Sequence, residues 1–154
     1  MRMKVLTGAA VAFSLVACAQ SGAKPNAAVT LENAWIRLPA VPDRPGAAYF
    51  TLRRHGENGI ALDRIASPGV QRIELHDSMM HDGMAEMMAV EAVTVTDSDT
   101  IEFKPGGKHA MLFGIDPKIK AGDRLRLDFS VRPGGQISGE AIVIGPGDPP
   151  PPRQ

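Results

Sequence analysis

Cysteine is nearly missing from this chain: Cys18 is the only one in 154 residues. No disulfide can form within it and no CxxC redox motif exists. The thiolate that a blue-copper electron-transfer site requires has no source beyond residue 18. An excess of either charge is also missing. Seventeen Lys and Arg balance seventeen Asp and Glu, for a formal net charge of zero. With no basic stripe, nucleic acid is not an expected partner. There is no internal repeat and no block of like charge. The apolar run from Leu6 to Ala17 is too short to span a bilayer as a helix.

What stands at the start instead is an export signal. Arg2 and Lys4 precede the apolar run, which ends in Leu15-Val16-Ala17-Cys18. Small residues before a cysteine at the end of such a leader resemble the bacterial lipobox. The resemblance implies removal of residues 1–17 and a lipid on Cys18, hence a membrane anchor facing the periplasm. Ala19 follows, rather than an aspartate, which by analogy with known lipoproteins favours the outer membrane. Residues 18–28 then form the lipidated N-terminus and a small, polar tether. Residues 145–154 (GPGDPPPPRQ) form a proline-rich tail that cannot add a strand, because proline lacks the donor.

The stretch between, residues 29–144, has the size of one domain. Thirteen prolines and sixteen glycines are spread along the chain and punctuate many short segments. That pattern favours an all-β fold over a helical bundle. Strands are expected over 29–38, 47–53, 61–65, 72–76, 84–90, 100–103, 108–115, 124–131 and 137–144, with Val93 and Val95 extending the set. In 72–76 the alternation sets Ile73 and Leu75 against Arg72, Glu74 and His76; in 124–131 it turns Leu125, Leu127, Phe129 and Val131 inward. Residues 77–83 (DSMMHDG) read as a polar, methionine-bearing loop. Eight or nine short strands at regular spacing point to a Greek-key β-sandwich or barrel.

The chemistry concentrates in four donors, His76, Met87, His109 and Met111, spaced H-x10-M-x21-H-x-M. His109 and Met111 lie two apart in an expected strand, so both point to one face, with Ala110 and Leu112 on the other. Thioether sulfur and imidazole nitrogen together suit Cu(I), whereas hydrolytic zinc more often takes three His or carboxylate ligands and an open position. Each imidazole must be neutral to bind, so affinity falls in acid. A lone methionine is ordinarily core filler and a lone surface histidine is solvated, which is the default for His55. The spare Met79, Met80, Met84 and Met88 are expected to shield the ion or to offer donors during handover, and His81 is a loop histidine.

With those four donors, the stretches Ala34-Trp35-Ile36-Arg37, Gly46-Ala47-Ala48-Tyr49, Lys104-Pro105-Gly106-Gly107 and Leu112-Phe113-Gly114 resemble the periplasmic copper chaperone family PCuAC. The resemblance spans about residues 28–144. It implies a cupredoxin-like β-sandwich and no enzymatic activity. It further implies a copper ligand set of His76, Met87, His109 and Met111, and delivery of Cu(I) toward the copper centre of cytochrome c oxidase, sometimes with a Sco-like partner. Two departures matter: the lipid anchor is atypical of soluble members, and the His/Met-rich tail of some relatives is missing. Trp35, Arg37 and Tyr49 are read as structural, since a large aromatic anchors a sandwich core.

Three other classes stay open on the residues alone. A copper-buffering lipoprotein would use the same ligands without a dedicated recipient. A catalytic metalloprotein could recruit Asp77, Asp82 or Glu86 as a base, although thioethers support hydrolysis poorly. A metal-free structural sandwich would require His109 and Met111 to pack inward.

Overall fold

The computed structural model describes residues 29–55, 59–81, 84–95, 100–132 and 135–153. The leader, Cys18 and the tether lie outside the described residues. So do Asp82 and the side chains of Met80 and His81.

The fold is all-β, as the spacing of turn residues leads one to expect. Among the described residues ten strands follow in chain order: β1 (Val29–Arg37), β2 (Gly46–Arg54), β3 (Ile60–Ala66), β4 (Val70–His81), β5 (Met84–Val90), β6 (Val93–Val95), β7 (Thr100–Phe103), β8 (His109–Ile115), β9 (Arg124–Arg132) and β10 (Gly135–Ile144). Hydrogen bonds join them in the order β5-β4-β8-β2-β1-β10-β9-β3-β6, with β7 also pairing β2. The β1–β10 pair is parallel and the others are antiparallel. The ladder does not close: β5 is one edge and β6 the other.

The inward faces share one core, which includes Ile36, Phe50, Leu52, Leu62, Leu75, Leu112, Leu127, Phe129 and Val143. Its aromatic centre is Phe50, stacked closely on Phe103 at 4.2 Å and edge-on to Phe129 at 4.9 Å, the two arrangements that aromatic pairs prefer over a face-to-face sandwich. In β9, Leu127, Phe129 and Val131 are buried in alternation, as the pattern requires, while Leu125 is only partly buried. Gly46 opens β2 beside the end of β1. A Cβ there would lie 2.8 Å from the Arg37 carbonyl oxygen and 2.7 Å from Ile115 Cδ1, so a larger residue would push β1 and β2 apart.

The expected loop at 77–83 is the main departure. β4 continues to His81, and β5 returns from Met84 in unbroken register from Leu75↔Val90 to His81↔Met84. Asp77 and Ser78 favour turns locally, but seven consecutive cross-strand pairs outweigh that preference. The result is a long hairpin extending past the core.

Beyond β10 the tail makes no strand but is tied down. The Arg37 guanidinium donates to the carbonyls of Gly145, Pro146 and Asp148 at 3.3, 2.9 and 2.8 Å. Arg153 pairs with Glu102 at 2.8 Å. Trp35 is buried against Tyr49, ring centroids 4.3 Å apart. Both findings agree with a structural role for Trp35, Arg37 and Tyr49.

Four carboxylates are held below their ordinary range. Arg53 donates to Glu32, Arg132 to Asp63, Lys104 and then Arg153 to Glu102, and Ser138 and then Arg126 to Asp128. A depressed carboxylate binds fewer protons folded than unfolded, so its stabilising effect is complete above the ordinary values of 4.5 for Glu and 3.8 for Asp. It is lost as pH falls through the lower, folded values. The metal-free protein should therefore show a Tm that declines progressively once the pH drops below about 4.5. A thermal melt series from pH 6 to pH 2.5 checks this; a Tm that does not fall across that span would contradict it.

Candidate metal centre

The centre is assembled on the outer face of the β5-β4-β8 part of the sheet. On β8, Ala110 and Leu112 are buried in the core, so His109 and Met111 point outward. On β4, Leu75 is in the core and Arg72, Glu74 and His76 occupy the other face. The register then fixes the pairs across the two strands: His76 opposite His109, Glu74 opposite Met111, Arg72 opposite Phe113. On β5, Met87 pairs with Ser78 and Ala89 with His76, so Met87 shares the histidine face one strand further out. The fold thus brings His76, His109 and Met111 together on adjacent strands, and sets Met87 diagonally beyond His76.

Both imidazoles are held with one ring nitrogen left over. The rings lie 5.8 Å apart, centroid to centroid, and 30° from parallel. His109 is only 8% exposed. Its Nδ1 lies 2.8 Å from the Gly107 carbonyl oxygen. A carbonyl only accepts, so Nδ1 is the donor, and in the neutral ring a metal requires, Nε2 carries the lone pair. The carbonyl is placed by a tight turn. Gly107 N–H donates to the Lys104 carbonyl at 3.1 Å, with Pro105 and Gly106 between and Gly106 at φ +79°. Proline then glycine with positive φ is the requirement of a type II turn, which explains the Lys104-Pro105-Gly106-Gly107 stretch ahead of His109.

His76 has the opposite arrangement. Its side chain is 13% exposed and Nε2 lies 3.2 Å from Glu74 Oε2. Its Nδ1 is buried with no hydrogen-bond partner. The Glu74 carboxylate accepts, so Nε2 is the donor, and in the neutral ring a metal requires, the lone pair is on Nδ1. A buried, unpaired ring nitrogen is costly unless something else satisfies it. Glu74 is itself fixed: Arg72 ion-pairs with it, and the Arg72 guanidinium lies 4.2 Å over the Phe113 ring. A carboxylate that orients a ligating histidine through its second nitrogen is a common device in metal sites.

Glu74 and the Gly107 carbonyl were not among the sequence candidates. Glu74 was within reach, because two residues before His76 on a strand means the same face. Which of the two faces mattered was set by the unread register. Replacing Glu74 with Leu is expected to remove the bias toward the Nε2–H tautomer of His76 while His109 stays Nδ1–H. Two-bond 1H–15N correlation spectra of the metal-free protein report both directly. Unchanged His76 nitrogen shifts in Glu74→Leu would remove Glu74 from this role.

The other sequence candidates fall elsewhere. Met79, Met84 and Met88 belong by register to the opposite face of the hairpin, with Asp77 and Glu86. They therefore do not shield the histidine pair, contrary to expectation, because strand period rather than proximity in sequence decides the face. Asp77 pairs with Lys108 at 2.7 Å on that far face, which leaves it unsuited to act as a base for a metal between the histidines. His55 is bonded to Thr30 at 3.1 Å. Since His109 and Met111 point outward, the metal-free packing alternative loses its premise.

These features define an all-β, cupredoxin-like domain with two histidines and a methionine presented from neighbouring strands on its outer face. Within that class, a family model described as "Putative lipoprotein LpqE-like" matches residues 29–143, and the chain belongs to the LpqE-like family. A relative from Rickettsia prowazekii, "Uncharacterized protein RP573", is 33% identical over 86 residues, 54% of this chain. The match spans 46% of that protein, so the chain covers about half of its length. "Putative lipoprotein Lxx21020" of Leifsonia xyli is 27% identical, covering 78% of this chain and 70% of the relative.

Solved structures agree with the fold. The copper-bound PCuAC domain from PmoF2 superposes with a TM-score of 0.65 at 17% identity, over 77% of this chain and 94% of that one. The Cu(I) form of DR1885 from Deinococcus radiodurans gives 0.62 at 25% identity, over 80% and 83%.

Proposed function

We propose that this protein is a copper chaperone of the cell envelope that carries Cu(I) on His76, Met87, His109 and Met111. It is a binding protein rather than an enzyme. The observation that carries the reading is the pair of facing imidazoles, each with one ring nitrogen against a protein acceptor, and with the other nitrogen of His76 buried without a partner. Neutral imidazole and thioether donors match Cu(I) in softness and leave the ion its single charge. The copper-bound PmoF2 and DR1885 domains, which share the fold, support the same cargo.

The geometry suggests a path for release. The histidines are nearly covered, whereas Met87 stands on the edge strand and is 55% exposed. An incoming thiolate, imidazole or thioether of the recipient would displace Met87 first. Copper would pass by ligand exchange, with Met111 and the histidines leaving afterwards. We place the copper-binding domain at residues 29–144, behind a leader of residues 1–17. Lipidated Cys18 and the tether to residue 28 would let the domain reach into the periplasm, most simply from the outer membrane. The lipoprotein names of the family and of the Leifsonia relative support the anchor. The recipient we favour is the copper centre of cytochrome c oxidase, directly or through a Sco-like protein.

Cu(I) titration of the protein from residue 19 onward, against a chromogenic Cu(I) chelator, tests the cargo. One tight equivalent is expected, and no competition with the chelator would end the chaperone reading. Gene deletion tests the recipient. Loss of oxidase activity under copper limitation is expected for delivery. Sensitivity to excess copper with normal oxidase activity would favour the buffering alternative.

A further inference from the structure

The tail after β10 is a strap fastened at both ends. At its start Arg37 donates to three of its carbonyls, and the Asp148 carboxylate accepts from the Gly145 N–H at 2.7 Å, which closes a turn. Four consecutive prolines follow, residues 149–152. A proline run is stiff and extended, about 3.1 Å per residue, so these four reach about 12 Å with little slack. At the far end Arg153 ion-pairs with Glu102 on β7, and Lys104 holds the same carboxylate at 2.8 Å.

Both fastenings adjoin elements that present copper donors. Arg37 pairs with Ala47 on β2, and Ala47 with Met111 on β8. Lys104 begins the turn that serves His109. Its N–H donates to the Lys108 carbonyl at 2.8 Å and its carbonyl accepts from Gly107 N–H at 3.1 Å. The Gly107 carbonyl in turn faces His109 Nδ1. Side chains pack loosely around this turn. A Cβ added at Gly106 would meet nothing within 4 Å. Lys104 and Pro105 line a cavity of about 620 Å³, shared with Trp35, Ile142 and tail residues 150–152. The turn therefore has open space to move into, and the ion pairs on Glu102 restrain it from that side. On the copper reading of the centre, we propose that the tail is a positioning element for it. Arg153, through Glu102 and Lys104, steadies the 104–107 turn and so keeps the Gly107 carbonyl on His109 Nδ1. Arg153 touches no metal and acts only through that turn.

The test compares Arg153→Gln with Arg132→Gln in the protein from residue 19 onward. Arg132 makes a similarly exposed ion pair with Asp63, between β9 and β3, so it controls for lost stability alone. In the metal-free protein Arg153→Gln should shift the His109 ring nitrogens, and Arg132→Gln should leave them in place. Gly107 amide exchange should quicken, and Cu(I) affinity fall, by about two- to fivefold in Arg153→Gln only, the upper range for an exposed ion pair. Exchanging the charges, Glu102→Arg with Arg153→Glu, keeps a carboxylate for Lys104 and should restore the parent values. If the His109 nitrogens and Gly107 exchange stay unchanged in Arg153→Gln, or change as much in Arg132→Gln, the tail merely stabilises the fold and the inference is wrong. That result in a parent that binds copper sinks this inference alone. A parent that takes up no Cu(I) sinks the copper reading, and the inference with it.

Discussion

His109→Ala should weaken Cu(I) binding by at least about 100-fold, the largest functional effect we expect from any single change. Loss of a group that merely orients a ligand commonly costs 10–100-fold in metal affinity, and removal of the ligand itself should exceed that. His109 is the natural extreme of the four donors. Its neighbours in the site lie on either side, Met111 two residues along the strand and His76 directly opposite, so its loss breaks the cluster at its middle. Its Nδ1 is also anchored to backbone, through Gly107, which fixes the orientation of the ring. Met87→Leu should be the mildest of the four in affinity, because Met87 is diagonal and exposed, yet it should slow copper transfer to an acceptor. The measurement is competition with a Cu(I) chelator, run for all four single variants with circular dichroism as the check on folding. An affinity for His109→Ala within threefold of the parent would show that the facing imidazoles are not the metal centre.

How much of that site was legible beforehand follows from what strands encode. The H-x-M pair was readable because period two places residues i and i+2 on one face whatever the rest of the sheet does. The opposition of His76 and His109 was not readable as geometry, since register between β4 and β8, thirty-three positions apart in sequence, depends on pairing along the whole of both strands. Met79, Met84 and Met88 were misplaced for a related reason. Residues 77–81 carry turn-forming and polar side chains, so they read as a loop in which any methionine could approach the metal. Once they pair with β5, parity assigns Met79 to the far face without appeal. The assignment of ring protons lay beyond the sequence altogether, because it depends on which acceptor each imidazole meets. The all-β class was legible from turn residues alone, while the open edge at β5 was not.

Phe50→Ala should destabilise the protein by about 3–5 kcal/mol, the usual cost of emptying an aromatic position in a packed core. Phe50 is completely enclosed and touches two other rings, face-on Phe103 and edge-on Phe129. These come from β7 and β9, while Phe50 itself lies on β2. Deleting the ring therefore loses its own burial and two aromatic contacts, each worth about 0.5–1.5 kcal/mol beyond area. β2 is held between β1 and β7, Phe50 pairing with Phe103 itself and its neighbours Tyr49 and Thr51 with Trp35 and Glu32, so it can close only part of the cavity. Domains of this size have total stabilities of about 5–15 kcal/mol, and the chain has no disulfide to offset the loss. Urea unfolding of the metal-free protein measures the change, with the slope expected to stay constant. A loss below about 1 kcal/mol would mean that the three rings do not form the packed centre of this core. Copper then provides a second reading of the same variant. A ligand that binds only the folded state adds stability in proportion to the logarithm of its free concentration over Kd. Phe50 lies in the core and the centre lies on the outer face of the sheet, so the copper-induced gain should be as large in Phe50→Ala as in the parent, while in His109→Ala it should largely vanish. The two variants separate the forces that hold the fold from the donors that hold the metal.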